Sequence, residues 1–186
     1  MTQYVPMVDD LGRPAKLPLA AALGVATLES GGYLAQRHPL LHVREEQTSG
    51  TAGGTFTSGA WRTRTLNTVV INEITGASLA ANQITLPAGT YRVRARANAV
   101  LVGNHTAKLR NITAGSDTVI GSNAYADNVN SGASDSFVIG QFTIAADTVF
   151  ELQHRGTTTV GTYGFGGAAS FSVVEVYGEV WIEKVA

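Results

Sequence analysis

Residues 83–99 read QITLPAGTYRVRARANA, and this stretch decides which fold the sequence predicts. Apolar positions alternate with arginines after the turn residues 87–89, and side chains on a strand point to opposite faces with period two. One face is therefore small and apolar, while the other carries Arg92, Arg94 and Arg96. Like charges on one strand face repel, so the row predicts an acidic neighbouring strand. We interpret residues 83–99 as a hairpin whose second strand is central in a sheet.

The C-terminal stretch 171–185, FSVVEVYGEVWIEKV, has the composition expected of that neighbour. The aliphatic side chains fall on one set of alternate positions, which predicts a core face. The other set of alternate positions carries carboxylates and aromatic rings in turn. The aliphatic set is Val174, Val176, Val180 and Ile182, and the mixed set is Glu175, Tyr177, Glu179, Trp181 and Glu183. Aromatics mixed with pairable charge are more typical of an interface than of free surface. The alternative is a solvated strand face with two incidental aromatics.

The remainder of the chain from residue 41 onward reads as short strands separated by polar, glycine-rich loops. The strands are predicted at 41–46, 61–70, 105–112, 118–122, 136–144 and 149–154, with the main loops at 47–59, 124–135 and 156–167. Short strands at regular spacing with turn signals between them predict an all-β fold. The expected architecture is an antiparallel jelly-roll sandwich.

Residues 1–40 differ from the rest and predict an extended N-terminal arm. Two of its segments, 12–19 and 32–40, share a glycine turn, a basic residue and a Pro-Leu pair. A short repeat of this kind cannot bury an apolar face alone. We therefore divide the chain into an attachment and linker segment, 1–40, and a head domain, 41–186.

Composition excludes several classes of function. The 186 residues have a net charge of -1 and 15% charged residues, whereas nucleic-acid binding predicts a basic stripe and a high pI. The absence of cysteine excludes a disulfide framework, thiol catalysis and cysteine-ligated zinc. The longest apolar run, 17–28, is interrupted by Pro18 and too short to span a bilayer. The first residues lack the basic region of a secretory signal peptide, so we expect neither membrane insertion nor ordinary secretion.

No catalytic or cofactor motif is present. We find no nucleophile elbow, no HExxH and no phosphate-cradling glycine loop, and polysaccharide cleavage would need paired carboxylates. We therefore expect neither an enzyme nor a cofactor. His38 and His42 could meet at a symmetry axis and bind a metal, but the preferred interpretation is a polar linker that leads into the first strand. His154 is expected at the rim of the core.

Five segments resemble known families. LPAGTYRVRARA, SFVIGQFTIAADTVFELQHRG and SFSVVEVYGEVWI are similar to the tumour-necrosis-factor and complement-type jelly roll. HVREEQTSGTAGGTFTSGAWRTRTLNTVVINEI resembles the C-terminal head domains of tailed-bacteriophage fibres, and ATLESGGYLAQRHPL resembles the linkers of those fibres. The resemblance covers nearly the whole chain but lacks a long fibre shaft.

The resemblance implies a homotrimeric virion protein on the surface of the phage particle, joined to a capsid or tail protein through residues 1–40. Its trimer interface would consist of Arg92, Arg94, Arg96, Glu175, Tyr177, Glu179, Trp181 and Glu183. The loops would contact a host-surface glycan or protein through Tyr125, Tyr163 and Phe165, because aromatic and small polar residues suit adaptable recognition. The alternative is a capsid or tail decoration, or head fibre, with a purely structural role.

Overall fold

A computed structural model describes residues 27–28, 34–35, 37–130 and 132–186. The chain divides between Arg37 and His38 into two units. In the first, strand β1 (Thr27–Leu28) pairs antiparallel with β2 (Leu34–Ala35). Most of the predicted arm lies outside the described residues.

The second unit is an all-β sandwich, as the sequence predicts. One sheet has five strands, β3 (Leu40–Gln47), β5 (Thr68–Asn72), β8 (Gly89–Val100), β11 (Ala133–Ile144) and β13 (Glu175–Lys184). Their order is β11-β8-β13-β3-β5, and every pair is antiparallel. The predicted neighbourhood of the arginine strand and the C-terminal strand is therefore confirmed.

The other sheet has six strands. They are β4 (Arg62–Thr63), β6 (Ser78–Ala80), β7 (Gln83–Leu86), β9 (Gly103–Asn111), β10 (Ser116–Ala126) and β12 (Thr148–Gly156). The order is β10-β9-β12-β7-β6, and β4 pairs with β12 beside β7. This sheet covers the apolar face of the first one.

The main core lies between the two sheets. Tyr91, Val93, Ala95 and Ala97 of β8 are all buried, as their alternation predicts. They pack with Leu41 and Val43 of β3, Val180 and Ile182 of β13, and Leu109, Phe150 and Leu152 of the other sheet. A second, smaller cluster of Phe56, Ala99, Val102, Ala126 and Phe165 lies where the long loops close over the sandwich.

Several local predictions are wrong because consecutive strands change sheets. Residues 83–99 are not a hairpin: β7 belongs to the six-stranded sheet and β8 to the five-stranded sheet, so the turn at Pro87 crosses the sandwich. The stretch 61–70 divides for the same reason into β4 and the start of β5. Hydrophobic alternation reports which face a residue occupies, but it does not report which neighbour the backbone pairs with.

The last strand is also shorter than predicted. It begins at Glu175, and Val174 is 55% exposed instead of lying in the core. Pairing with β3 shifts register between Val176 and Gly178, as in a β-bulge. An extra residue in one strand breaks the simple alternation of faces, so the parity assigned to Glu175 and Tyr177 does not hold.

Candidate functional site

The outer face of the five-stranded sheet, turned away from the core, presents three rows of side chains. Cross-strand partners in register lie side by side on one face. The middle row is Ile139, Arg94, Trp181, His42 and Ile71, reading across all five strands. On one side of it lies the row Phe137, Arg96, Glu179, Arg44 and Thr68, and on the other side Gln141, Arg92, Glu183 and Leu40.

The apolar part of this face consists of side chains in and beside the middle row. The ring of Trp181 stacks on His42 with centroids 4.5 Å apart and an interplanar angle of 18°. Ile139 is 67% exposed and Phe137 is 48% exposed. Trp181 and these two side chains line an open hollow of about 450 Å³. Large apolar side chains gathered in one exposed patch indicate an interaction surface.

The row that contains Glu179 is an ion-pair network complete within the protomer. Glu179 accepts a hydrogen bond from Arg96 Nε at 2.9 Å and forms an ion pair with Arg44 Nε at 2.7 Å. His42 Nε2 lies 3.5 Å from Glu179 and accepts a hydrogen bond from Arg44 Nε at 3.3 Å. Burial raises the pKa of Glu179, but the Arg96 hydrogen bond and the charges of both arginines outweigh burial and lower it overall. The predicted pairing of arginine on β8 with glutamate on β13 is therefore present at Arg96.

The other two arginines of β8 are exposed and differently placed. Arg92 lies opposite Glu183, yet its Nε reaches Gln141 Oε1 at 3.4 Å. Arg94 lies opposite Trp181. Among the described residues, neither the guanidinium of Arg94 nor the carboxylate of Glu183 has a hydrogen-bond or ion-pair partner. The face therefore offers one cation and one anion to a second molecule.

Glu175 and Tyr177 do not lie in this exposed face and correct the predicted interface. The carboxylate of Glu175 accepts backbone N–H groups of Gly50, Ala169 and Ser170 at 2.8–3.0 Å, and these bonds lower its pKa. Tyr177 is only 4% exposed, and its hydroxyl donates to the carbonyl of Thr51 at 2.7 Å. Both side chains hold loops of the protomer, which leaves six of the eight predicted residues on the outer face.

The predicted receptor residues occupy three different environments. Tyr163 lies in a loop and is 43% exposed. Tyr125 is 56% exposed but belongs to β10, because that strand extends to Ala126. Phe165 is only 9% exposed and packs on Phe56 at 4.6 Å between ring centroids. Phe165 is therefore a core residue and not a contact residue.

The predicted loop 47–59 is held by backbone hydrogen bonds to the loop 156–167. Phe56 and Val160 form a β-bridge with N···O distances of 2.8 and 2.9 Å. Gly54 donates to Thr162 O at 2.8 Å. Phe56 is fully buried. The sequence suggested no anchor here, since one phenylalanine among small polar residues has no periodicity.

A buried cation, which is not among the residues predicted from the sequence, joins the two sheets beneath these loops. Arg64 is fully buried, and all five of its N–H groups have acceptors. Its Nε donates to Glu45 at 2.7 Å, and its terminal nitrogens donate to the carbonyls of Asn98, Phe165 and Tyr177 at 2.8–3.0 Å and to His154 Nδ1 at 3.4 Å. Gly178 leaves room for the pair, because a Cβ there would lie 2.9 Å from Glu45 Oε2. The sequence contains one signal for this buried ion pair, because Glu45 alternates in step with Leu41 and Val43, the predicted inward-facing residues of the same strand.

The cation fixes the tautomers of a histidine pair. His154 Nε2 lies 2.9 Å from His105 Nδ1, and His105 Nε2 lies 2.8 Å from Ser134 Oγ. Because arginine only donates, His154 Nδ1 accepts and its Nε2–H donates to His105, whose Nε2–H then donates to Ser134. His105 therefore cannot take a proton from Ser134, so this hydrogen-bonded chain of Ser134, His105 and His154 does not activate the serine as a nucleophile. His154 is a buried core residue, contrary to the predicted rim position.

The described part of the chain contains no group of three or more metal-ligating side chains suited to an ion. Nor does any helix among these residues have the length and apolarity needed to cross a membrane.

The two antiparallel sheets of the second unit form a jelly roll like that of tumour-necrosis-factor and complement-type domains. The solved structure of murine APRIL at pH 5.0 superposes with a TM-score of 0.53 at 8% identity, covering 80% of this chain and 100% of that chain. The globular domain of zebrafish complement 1qA gives 0.48 at 13% identity, covering 81% and 98%. Vertex protein P5 of phage PRD1 gives 0.47 at 14% identity, covering 82% and 100%. At these identities the likeness concerns the fold alone.

No protein-family model matches the sequence, and no curated protein matches it.

Proposed function

We propose that the protein is a homotrimeric structural component of a tailed-bacteriophage particle whose jelly-roll head contacts the host surface. The observation that carries the trimer is the outer face of the five-stranded sheet. It combines an exposed apolar centre around Trp181 and Ile139 with the unpaired charges that Arg94 and Glu183 present within the described part of the chain. Interfaces are enriched in tryptophan and arginine at their centres and carry polar groups at their rims.

The edge of the same sheet supports a contact that closes into a ring. Val69, Val70 and Ile71 of the edge strand β5 are 39–47% exposed, so both faces of this strand offer apolar surface. An exposed apolar edge strand is a liability that proteins normally cover. If the β5 edge of one protomer packs against the outer face of the next, the contact is heterologous, and a rotation of about 120° per protomer closes it into a three-membered ring.

The place on a virion rests on sequence resemblance. The run from His42 to Ile74 resembles phage-fibre head domains, and residues 26–40 resemble fibre linkers. In this proposal residues 1–40 attach the head to a capsid or tail protein. In the same proposal Tyr125 and Tyr163, which are 56% and 43% exposed, contact the host surface.

The trimer is tested with a matched pair of substitutions. Ile139 on β11 and Ile120 on β10 are 67% and 59% exposed, but only Ile139 lies on the outer face of the five-stranded sheet. Ile139→Glu places a carboxylate in the apolar centre and is expected to convert a trimer into monomers in analytical ultracentrifugation. Ile120→Glu adds the same charge elsewhere and is expected to remain trimeric. A wild-type monomer at micromolar concentration would contradict the proposal.

A further inference from the structure

A row of side chains also crosses the outer face of the six-stranded sheet. Arg155 of β12 pairs in register with Thr106 of β9, which pairs with Asn123 of β10. Arg62 of β4 pairs with His154, so Trp61, one residue earlier, comes beside Arg155. Trp61, Arg155, Thr106 and Asn123 together line an open hollow of about 440 Å³. This hollow lies on the opposite sheet from the proposed trimer interface.

The cation in this row has no partner among the described residues. Arg155 is exposed, and within those ranges its guanidinium makes no hydrogen bond or ion pair. Its basic neighbours on β9 differ, since Lys108 Nζ and Arg110 Nη1 lie 2.7 and 2.8 Å from the carboxylate of Asp117. A free guanidinium offers two parallel N–H donors to a carboxylate or sulfate.

The other groups in the hollow suit a sugar ring. Trp61 is half-buried, and Lys108 Nζ lies 4.0 Å from its ring centroid, which orients the indole. Asn123 Oδ1 accepts from Thr106 at 2.6 Å, which leaves the amide N–H groups of Asn123 to donate elsewhere. Asn104, opposite the exposed Tyr125, adds a second amide. An aromatic wall with a few oriented polar groups is the usual design of a small-ligand site.

We infer that this hollow binds an anionic saccharide, with the sugar ring against Trp61 and its carboxylate or sulfate on Arg155. The inference rests on the proposed contact with the host surface and names the class of receptor. Each site binds weakly, and a trimer multiplies three such sites by valency. The three hollows stay accessible in the trimer because they lie on the sheet that does not form it.

The test follows the indole signals of the intact protein, which contains two tryptophans. The probes are methyl glucuronide, methyl glucoside 6-sulfate and neutral methyl glucoside, each titrated against ¹⁵N-labelled protein. We expect saturable shifts of the Trp61 indole with an acidic probe and no shift at Trp181. The carboxylate and sulfate arms decide which anion is preferred.

Substitutions then assign the contacts. Arg155→Gln is expected to weaken acidic-probe binding about tenfold, the value of one charge-assisted hydrogen bond. Arg110→Gln removes the same charge from the same sheet face and is expected to leave binding unchanged. Trp61→Ala removes the indole reporter, so binding to this variant is followed through the backbone amide signal of Arg155, and it is expected to be abolished for every probe. Equal affinity for acidic and neutral probes, or an acidic-probe affinity unaffected by Arg155→Gln, would overturn the inference.

The two proposals fail separately. Sedimentation reports the trimer, and the indole titration reports the hollow. A monomeric wild type that still binds the acidic probe would overturn the trimer and keep the saccharide site. A trimer whose Trp61 signal stays fixed up to about 10 mM of either acidic probe would overturn the site alone, since even millimolar affinity would be visible there.

Discussion

Arg64 shows how one buried residue fixes the relation of two sheets and the loop 156–167. Its five donors reach Glu45 and His154 in opposite sheets and the carbonyls of three further residues. A buried ion pair is weak evidence for net stability, because desolvation offsets much of the attraction. Removing one partner is costly, however, since the other is left as an uncompensated charge.

We therefore expect Arg64→Met to lower the free energy of unfolding by about 3–5 kcal/mol. The double variant Arg64→Met with Glu45→Gln is expected to regain part of this loss, because no buried charge remains. Urea denaturation of both variants measures the difference. A loss below about 1 kcal/mol in the single variant would show that the charge is relieved by another route.

The histidine pair predicts a pH dependence in a defined window. Burial lowers the pKa of His105 to about 4, with Asp135 opposing the shift and Arg64 adding to it. Burial and the charge of Arg64 also hold the pKa of His154 well below its ordinary value of 6.5. Because the folded pKa is below the unfolded one, the unfolded chain binds protons first, and stability falls as pH drops from about 6.5 towards 4.

The expected loss for His105 between pH 7 and pH 5 is about 2 kcal/mol, and His154 adds to it in the same direction. Carboxylates such as Glu179, whose pKa is lowered, lose their contribution only at lower pH, so this window isolates the histidines. His42, whose pKa burial also lowers, adds to the loss in the same direction. Unfolding free energies that stay constant from pH 7 to pH 5 would contradict the tautomer chain.

At the scale of elements, the loop 156–167 and the start of β13 depend on a close approach of backbone and ring. Gly166 has a φ of 154°, and a Cβ at this position would overlap the ring of Tyr177. A Cβ at Gly167 would instead point into open space, with no atom of the described residues within 4 Å. The two adjacent glycines therefore differ in what they tolerate.

Gly166→Ala is expected to reduce stability by about 2 kcal/mol or more, because overpacking forces Tyr177 from the Thr51 carbonyl. Gly167→Ala is expected to change stability by less than about 0.5 kcal/mol, as surface substitutions do. Thermal unfolding of the two variants compares them directly. Similar melting temperatures would mean that Tyr177 is not held in this position.

At the scale of the whole molecule, assembly and stability are linked. In the proposed trimer only folded protomers associate, so we expect its melting temperature to rise with protein concentration. Trp181→Glu is expected to remove this concentration dependence, because desolvated aromatic area dominates such interfaces. Glu183→Gln is expected to retain it, since an exposed charge mainly adjusts association rate and salt dependence. A wild-type melting temperature independent of concentration over a hundredfold range would count against the trimer.

The sequence by itself determined the class of fold and most of the outer face. Alternation in 91–97 and at Val180 and Ile182 specified the core side of two strands, and complementary charge predicted that they are neighbours. Both signals are local. The period of two along a strand determines which face of the sheet a side chain occupies, and opposite charges on two strands predict that the strands pair. Six of the eight predicted interface residues lie on the exposed face for that reason.

Only the tertiary structure decided which strands share a sheet, where β13 shifts register and what lies beneath the loops. The crossing at Pro87, the bulge before Gly178 and the placement of Phe165 all depend on partners distant in sequence. The same holds for Arg64, whose burial is tolerable only because five acceptors from separate segments converge on it. The positions of these acceptors follow no periodic pattern along the chain, and the sequence therefore gives no sign that they meet.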